Sequence, residues 1–136
     1  GTALIVDGDT ITISGNKIRL NGIDTPEKDQ TCRRAGVTWR CGYEATETLR
    51  NWTYTKEVRC VGDTKDRYGR LIADCFVDGY NVNARLVYEG LALAYRKYSK
   101  QYVPEEDKAR AAKRGIWAGE FVAPWDWREG KRLTSE

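Results

Sequence analysis

The first twenty residues carry the pattern of short β-strands joined by tight turns. Residues 2–6 are apolar and rich in β-branched side chains, and residues 10–14 alternate polar and apolar side chains. An alternation with a period of two is typical of a strand with one buried face. The dipeptide Gly15-Asn16 predicts a hairpin turn after the second strand, because glycine adopts a positive φ without strain.

Residues 17–20 resume the alternation and predict a third strand. Ile18 and Leu20 are expected to face the core, which leaves Arg19 on the opposite face of the strand. The strand ends shortly before Asp24. An arginine and a carboxylate are therefore expected near one end of the same strand.

The rest of the chain mixes helical and strand patterns with polar loops. Ala45, Leu49 and Trp52 recur at i, i+4 and i+7, which predicts a helix with one apolar face. The predicted elements are a polar loop at 28–42, a helix at 43–54, a strand at 56–61, a turn at 62–69, a strand at 71–77, helices at 83–89 and 104–114, and an irregular, Trp-rich tail at about 118–136.

The order of these elements indicates a small barrel. Five short strands interrupted by a helix are typical of the OB type. The predicted fold class is α+β, mainly β, with about three helices packed against a five-stranded barrel. A chain of 136 residues suits one domain with a real core, so residues 1–136 are expected to form a single domain.

The bulk composition excludes two broad classes of protein. With 40% hydrophobic and 32% charged residues, the chain is typical of neither a disordered protein nor a membrane protein. No apolar run approaches the ~20 residues that span a bilayer, so no membrane association is expected. The net charge of +3 is compatible with a polyanionic partner, and equally with an ordinary solvated surface.

The four cysteines, Cys32, Cys41, Cys60 and Cys75, indicate the compartment. They form no C-x-x-C element and the chain has no histidine, so a zinc site is not expected. Two disulfides, in one of three pairings, would place the protein in an oxidising compartment, and four buried reduced thiols are the alternative. The chain opens at Gly1 with no Met and no signal peptide, so we expect a mature or trimmed form. With a disulfide framework, such a form is expected to be secreted or periplasmic.

Three segments together supply carboxylates, which come from the first two, and arginines, which come from the last two. They are Asp7-Gly8-Asp9-Thr10, Arg19 followed by Asp24-Thr25-Pro26-Glu27, and Asp66-Arg67-Tyr68-Gly69-Arg70. Each segment by itself is typical of a polar turn. Together they offer oxygen ligands for a hard divalent cation and planar guanidiniums that bind phosphate through paired N–H donors. The combination indicates a metal-assisted phosphodiester site.

In their order and spacing, these segments resemble the staphylococcal (thermonuclease) nuclease family. The resemblance runs from about Ala3 to Trp117 and so covers most of the chain. It includes Val-Asn-x-x-Leu-Val-x-x-Gly-Leu-Ala at 82–92 and Gly-Ile-Trp at 115–117. The resemblance implies an OB-fold barrel and calcium-dependent hydrolysis of DNA and RNA that leaves 3′-phosphates.

The resemblance also implies a set of metal ligands. By position, Asp9 and Asp24 would be the carboxylate ligands of Ca²⁺, and Thr25 would add its backbone carbonyl. Oxygen donors of this kind suit a hard cation. Asp7 matches an acidic position of the family close to the metal, with a less direct role.

The same resemblance assigns the catalytic residues. Arg19 and Arg70 would hold the scissile phosphate and stabilise the charge that builds on it. Glu27 would orient or deprotonate the attacking water. All the principal positions carry the expected residue type, which favours an active enzyme.

Three tyrosines are candidates for substrate binding. Tyr68 matches a family tyrosine near the nucleotide, and Tyr95 and Tyr98 fall near the tyrosines that stack on bases. Two residues separate Tyr95 from Tyr98, where the family pattern has one, so only one of them is expected in register. Their alternative interpretation is as partly buried structural tyrosines.

The cysteines depart from the family pattern, since the namesake enzyme has none. Cys32 and Cys41 bracket the polar loop after Glu27, while Cys60 and Cys75 lie on strands that a hairpin would pair. The expected bridges are therefore 32–41 and 60–75. The first would tether the loop that leaves Glu27, and the second would staple the barrel.

The sequence thus predicts a calcium-dependent nuclease acting on single-stranded or double-stranded DNA and on RNA. A monomer is expected. One alternative is a nucleic-acid-binding or protein-binding module on the same fold that has lost catalysis. Another is an accessory role in an extracellular pathway, in which nuclease activity is incidental.

Overall fold

The structure, a computed structural model, describes residues 1–134, so Ser135 and Glu136 of the predicted tail lie outside the described residues. The strands are β1 (Ala3–Asp7), β2 (Thr10–Ile13), β3 (Asn16–Leu20), β4 (Ile23–Asp24), β5 (Cys32–Arg34), β6 (Val37–Trp39), β7 (Val58–Lys65), β8 (Leu71–Val77), β9 (Tyr80–Asn81) and β10 (Leu93–Ala94). The helices are α1 (Cys41–Thr53), α2 (Val82–Tyr88), α3 (Val103–Ala111) and α4 (Pro124–Arg128), with a 3₁₀ turn at Gly115–Ala118. Crossing a bilayer takes a longer and more apolar helix than any found in residues 1–134.

The main sheet is a curled half-barrel. Its strand order is β1-β2-β3-β8-β7, and β9 pairs with β8. All the pairings are antiparallel except β3 with β8. Gly1 exchanges two backbone hydrogen bonds, of 2.9 and 2.8 Å, with Val58, which brings the two outer edges together. The α+β, mainly β fold of the OB type is therefore confirmed, with α4 as a helix beyond the three predicted.

The interior of the half-barrel is one continuous apolar cluster. Ile18 and Leu20 of β3 are buried in it, as the alternation predicts. Leu49 of α1 and Leu86 of α2 are fully buried in the same cluster. Since each fully buried aliphatic side chain contributes roughly 1.5–3 kcal/mol, this core holds the strands that carry the site.

The first hairpin turns one residue earlier than predicted. Ser14 and Gly15 have positive φ angles of 51° and 80°, and these two residues form the turn. Two positive φ values give the turn whose twist matches a hairpin. Asn16 already belongs to β3, where it pairs with Ile13.

The ribbon of β7 and β8 is longer than predicted. β7 continues to Lys65, so the turn predicted at 62–69 is confined to residues 66–69. A register shift marks a bulge at Gly62, where a Cβ atom would meet the carbonyl of Ile72. This glycine therefore reflects a close approach of two strands and not a turn.

The stretch at 28–42 contains a hairpin and is not an irregular loop. Strands β5 and β6 are joined by Ala35 and Gly36, which both have a positive φ (50° and 78°). Strands of three residues are too short for an alternation to be recognised, which explains the wrong prediction.

Both predicted disulfides are present, Cys32–Cys41 and Cys60–Cys75. The first joins the start of β5 to the start of α1, and the second joins register partners on β7 and β8. Two disulfides in a chain of this size fit an extracellular protein.

The tail predicted as irregular at about 118–136 contains regular structure. Helix α4 begins at Pro124, a residue that suits the first position of a helix. Trp125 packs, with other aromatic side chains, against a second buried cluster that includes the first disulfide. A bridge between Arg33 and Glu120 joins the tail to β5. The tail therefore packs on the body of the protein, as expected, but in a defined conformation.

Candidate active site

One cleft of about 960 Å³ collects most of the residues singled out from the sequence. Those that line it are Asp7, Asp9, Arg19, Asp24, Glu27, Tyr68, Arg70, Tyr95 and Tyr98. Thr25 is buried beneath the cleft, where its N–H donates to Asp9. The cleft also contains Arg128, which no sequence motif indicated.

The pairing of β2 with β3 sets the positions of Asp9 and Arg19. Thr10 is the register partner of Arg19, and the N–H of Leu20 donates to the carbonyl of Asp9 at 2.8 Å. Arg19 Nη2 consequently lies 3.5 Å from Asp9 Oδ2 and 3.7 Å from Asp24 Oδ1. Its Nη1 donates to the carbonyl of Leu20 at 2.9 Å, which fixes the guanidinium between the two carboxylates.

The pairing of β4 with β10 brings an aromatic residue beside a carboxylate. Asp24 is the register partner of Leu93. Immediately after β10, the N–H of Tyr95 donates to the carbonyl of Gly22 at 2.9 Å. The two short strands thus bring Asp24 and Tyr95 to the same cleft, although the two residues are 71 positions apart in the chain.

The two acidic segments approach each other closely at Gly8. A Cβ atom at this position would lie 2.7 Å from Thr25 Oγ1, so a larger residue would push the segments apart. The N–H of Thr25 donates to Asp9 Oδ2 at 3.1 Å, and the hydroxyl of Thr10 donates to Asp9 Oδ1 at 3.3 Å. The glycine between the two aspartates therefore has a steric role in the site.

Asp7, Asp9 and Asp24 crowd three carboxylates into one partly buried space. Burial raises the pKa of Asp7 to about 7, and repulsion from Asp9 adds to the effect. Burial also raises the pKa of Asp24 to about 6, although a hydrogen bond from Arg128 acts to lower it. For Asp9, attraction to Arg19 and hydrogen bonds outweigh burial, and its pKa is lowered. Negative charge gathered in this way favours the binding of a cation.

An acidic residue of its own turn positions Arg70. The Nε of Arg70 donates to Asp66 Oδ2 at 2.7 Å, while Asp66 Oδ1 accepts the N–H groups of Tyr68 and Arg70 at 2.9 Å each. Burial alone would raise the pKa of Asp66, but these hydrogen bonds hold it below its usual range. Asp66 thus engages Nε of Arg70, whose side chain lines the cleft.

Aromatic rings gather along one part of the cleft. Tyr95 packs edge-on against Tyr98, with ring centroids 4.8 Å apart. Tyr95 also stacks in parallel on Trp125, with ring centroids 5.2 Å apart and an interplanar angle of 9°. Tyr68 and Tyr98 are exposed. Both Tyr95 and Tyr98 line the cleft, so their spacing in the chain does not keep either away from it.

The main chain of Glu27 is held from two sides. Its N–H donates to Gln30 Oε1 at 3.0 Å, and its carbonyl accepts the N–H of Gln30 at 2.8 Å. Gly42 of α1 packs so closely that a Cβ atom there would overlap the carbonyl of Glu27. The backbone of Glu27 is therefore fixed, while its carboxylate is 31% exposed to the cleft.

Arg128 enters the cleft from the end of α4. Its Nη1 and Nη2 lie 3.1 and 2.8 Å from the two oxygens of Asp24, and Nη1 lies 2.6 Å from Glu27 Oε1. Hydrogen bonds to Asp24 raise the pKa of Arg128 above its usual range. Paired contacts between a guanidinium and a carboxylate are among the strong hydrogen bonds of proteins.

Sequence reasoning missed Arg128 for a physical reason. Pro124 marks a helix start, and residues three apart share a helix face, so Trp125 and Arg128 are recognisable as neighbours. What that face meets depends on how the tail packs against the hairpin of β5 and β6. Local periodicity carries no information about such a contact.

The donor set fits a hard divalent cation. Asp9 and Asp24 offer carboxylate oxygens, and Thr25 would add its backbone carbonyl. Burial raises the pKa of Asp24, and the neighbouring charge of Asp9 adds to the effect, so a cation at these oxygens would relieve an unfavourable accumulation of charge. Within residues 1–134, no group of three or more Asp, Glu, Cys or His side chains is arranged to hold a metal ion. A cation at these residues would therefore complete its shell with water or substrate oxygens.

The chain is similar in sequence to several known proteins. The family model described as "Staphylococcal nuclease homologue" matches residues 17–119. "Succinoglycan biosynthesis protein ExoI" of Rhizobium meliloti is 36% identical over 121 residues, which cover 86% of this chain and 63% of that protein. An "Uncharacterized endonuclease" of Haemophilus influenzae is 35% identical over 138 residues, which cover 96% of this chain and 72% of that protein.

A further relative carries a nuclease name. "Micrococcal nuclease" of Shigella flexneri is 32% identical over 146 residues, which cover 94% of this chain and 79% of that protein. The chain thus spans less than two thirds of the ExoI protein and about three quarters of the other two. The family match includes Arg19, Asp24, Glu27 and Arg70 of the cleft and begins after Asp9. Proteins of this family use metal ions. The chain belongs to the staphylococcal nuclease family.

Proposed function

We propose that this chain is a calcium-dependent nuclease that hydrolyses phosphodiester bonds in DNA and RNA and leaves 3′-phosphates. The proposal is carried by one cleft in which Asp9 and Asp24 lie together with Arg19 and Arg70. Arg19 lies within 3.7 Å of both Asp9 and Asp24, and Arg70 lines the same cleft. Membership of the family supports the nuclease class.

Arg19 and Arg70 would bind the scissile phosphate. A guanidinium stays charged at any physiological pH and offers planar, paired donors to phosphate oxygens. Arg19 is held by the carbonyl of Leu20, and Arg70 is held by Asp66. Donors fixed before the reaction stabilise the charge that develops on the phosphate without reorganising.

Asp9, Asp24 and Thr25 would hold the calcium ion. When bound, such a cation polarises a phosphoryl oxygen and increases the acidity of bound water. Calcium accepts irregular sets of oxygen ligands, which suits two carboxylates and a backbone carbonyl completed by water. Asp7 would add negative charge near these ligands. Its Oδ1 accepts the backbone N–H of Asp9 at 3.0 Å, and this hydrogen bond supports the arrangement of the ligands.

Glu27 would orient or deprotonate the attacking water. Its backbone is fixed by Gln30 and Gly42, and its carboxylate opens onto the cleft beside Asp24. Tyr68, Tyr95 and Tyr98 would contact the nucleotide around the cleft. Stacking of a base on such a ring contributes ~1–3 kcal/mol and tolerates any sequence.

Gly42→Ala tests the way in which Glu27 is held. The new Cβ atom would overlap a main-chain carbonyl, which cannot rotate aside as a side chain does. Overpacking costs about 1–3 kcal/mol, and we expect a loss at the upper end in urea unfolding, together with slower DNA cleavage.

Gly15→Ala is the control for this substitution. Its Cβ atom would meet open space, so only the positive φ of 80° opposes alanine, at a cost of about 1–2 kcal/mol. Cleavage is expected to be unchanged. A Gly42→Ala protein with the parent's stability and cleavage rate would show that α1 does not hold Glu27.

Digestion of nucleic acid tests the proposed function. A 5′-labelled single-stranded DNA and an RNA of the same sequence are incubated with the protein in calcium and in excess chelator. We expect cleavage only in calcium, and products whose gel mobility changes when a phosphatase removes a 3′-phosphate. Cleavage that ignores the chelator would reject the metal-assisted mechanism, and no cleavage in either condition would favour a binding module.

We also propose that the protein is secreted or periplasmic and acts as a monomer. The two disulfides support an oxidising compartment, because bonds of this kind persist there and are rare in the cytosol.

A further inference from the structure

Two side chains on one face of helix α4 contact residues that line the cleft. Arg128 contacts Asp24 and Glu27, and Trp125, one turn earlier, stacks on Tyr95. Residues three apart lie on the same face of a helix. The stack is nearly parallel, at 9°, which is the arrangement of a base on an aromatic side chain.

Both contacts use groups to which we assign a ligand. The two oxygens of Asp24, proposed for calcium, accept hydrogen bonds from a cation that belongs to the protein. One face of Tyr95, proposed for a base, is covered by an indole ring. Helix α4 therefore imitates the bound state with a positive charge at the carboxylates and a flat ring on the tyrosine.

The segment before α4 is anchored separately. Gln30 Nε2 donates to the carbonyl of Val122 at 2.7 Å. Arg33 and Glu120 exchange two backbone hydrogen bonds of 2.8 Å each. A helix of five residues has little stability of its own, so α4 depends on its contacts with the cleft and on the packing of Trp125 against the second buried cluster. Its release would leave these anchors intact.

We propose that Pro124–Arg128 forms a latch that occupies the cleft, and that a divalent cation and a nucleic-acid strand displace the latch when they bind. The inference rests on the calcium site of the proposed function. A guanidinium within 3.1 Å of both Asp24 oxygens and a cation at the same oxygens repel each other strongly in a partly buried site. Ligand affinity is then reduced by the fraction of molecules in which the latch is open.

Calcium affinity measured by calorimetry is the first test. If the latch is closed about nine-tenths of the time, Arg128→Ala is expected to lower the calcium dissociation constant about tenfold. Arg59→Ala is the matched control, because it removes the same charge from a residue that stacks over Phe76, outside the cleft and the latch. Its dissociation constant is expected to stay within about twofold of the parent's.

Hydrogen exchange separates a displaced latch from a simple loss of charge. In the parent protein, saturating calcium is expected to speed amide exchange in the peptide 119–134 at least about fivefold, because a released helix of this length frays. A guanidinium that merely lowered the local potential and stayed in place would leave exchange unchanged. This measurement needs no catalytic activity.

Binding of a short single-stranded DNA in chelator tests the aromatic half of the latch. Trp125→Ala exposes the face of Tyr95 and is expected to tighten binding about threefold, measured by fluorescence anisotropy. Tyr54→Ala is the control, because it removes an aromatic ring that is 73% exposed and lies outside both the latch and the cleft. Weaker binding by Trp125→Ala would show that Trp125 contacts the substrate and would overturn the latch.

The other outcomes separate the latch from the proposed function. Equal calcium affinity in the parent and Arg128→Ala, or slower or unchanged exchange of 119–134 in calcium, would overturn the latch and leave calcium-dependent cleavage in place. Absence of calcium binding in both proteins would overturn the latch and the calcium site together.

Discussion

Arg70→Lys is expected to fold like the parent and to cleave DNA about 100-fold to 1,000-fold more slowly, the range found when one fixed donor to a developing charge is removed. Arg70 donates through Nε to Asp66 and has its Nη groups left for a phosphate. A lysine ammonium is a point charge and cannot contact Asp66 and two phosphate oxygens in the same geometry. Single-turnover cleavage of a labelled oligonucleotide measures the effect.

Arg59→Lys is the matched control for this prediction. Arg59 lies on β7, in the same ribbon as Arg70, but its guanidinium stacks over Phe76 away from the carboxylates. We expect its cleavage rate to equal the parent's. A cleavage rate of Arg70→Lys close to the parent's would remove Arg70 from the proposed phosphate site.

Asp24→Asn is expected to raise the calcium dissociation constant at least about 100-fold. Residues that only support a metal ligand already cost 10-fold to 100-fold in affinity when they are replaced. Asp24 is 1% exposed, and its charge is the one that Arg19 and Arg128 both approach. Calorimetric titration with calcium measures the loss.

The pKa of Asp24 adds an expectation about stability. Burial raises this pKa from 3.8 to about 6, so the folded state holds a proton that the unfolded state has lost between these values. The free energy of unfolding contributed by Asp24 therefore falls as the pH rises through that window. Because asparagine does not titrate, the Tm of Asp24→Asn in chelator is expected to fall less than the parent's as the pH rises through that window.

Asp78→Asn is the control for both effects. Asp78 pairs with Lys56 on the surface, and asparagine tolerates its positive φ of 50°. Its calcium affinity and Tm are expected to match the parent's. Unchanged calcium affinity in Asp24→Asn would exclude Asp24 as a ligand.

The positions of the central strands were predictable because burial repeats every second residue. Ile18 and Leu20 indicate the buried face of β3. The register between β2 and β3 then places Arg19 opposite Thr10 and next to Asp9. The acidic segments also follow strand ends, so their meeting in one cleft was a reasonable expectation from the sequence. In a β-strand, the alternation of buried and exposed side chains can be recognised within four or five consecutive residues.

Contacts between distant segments were not predictable from local patterns. Arg128 lies 104 residues from Asp24 in the chain, and it reaches the cleft only because the tail is docked on the hairpin of β5 and β6. Gln30 stands inside a segment that looks like a polar loop, yet it is buried and binds both Glu27 and Val122. Tertiary packing decides both contacts.

The glycines also divide into those whose role is predictable from the local sequence and those whose role depends on tertiary packing. Gly15 and Gly69 have positive φ angles of 80° in turns, and the sequence correctly predicts a turn near each of them. Gly8 and Gly42 have a different role, because side chains there would collide with Thr25 and with the carbonyl of Glu27. Only the assembled structure distinguishes a glycine needed for a turn from one needed for a close approach.

In the proposed mechanism, the cleft of Asp9, Asp24 and Glu27 cleaves phosphodiester bonds with calcium. Its most direct test is the single-turnover cleavage rate of single-stranded DNA over a series of buffered free calcium concentrations, for the parent, Glu27→Gln and Glu57→Gln. Glu57 is 79% exposed beside Gly1, outside the cleft, and serves as the matched control. We predict saturable calcium-dependent cleavage by the parent and Glu57→Gln, and a rate at least about 100-fold lower for Glu27→Gln. Equal rates for all three proteins, or cleavage that does not depend on calcium, would contradict the account.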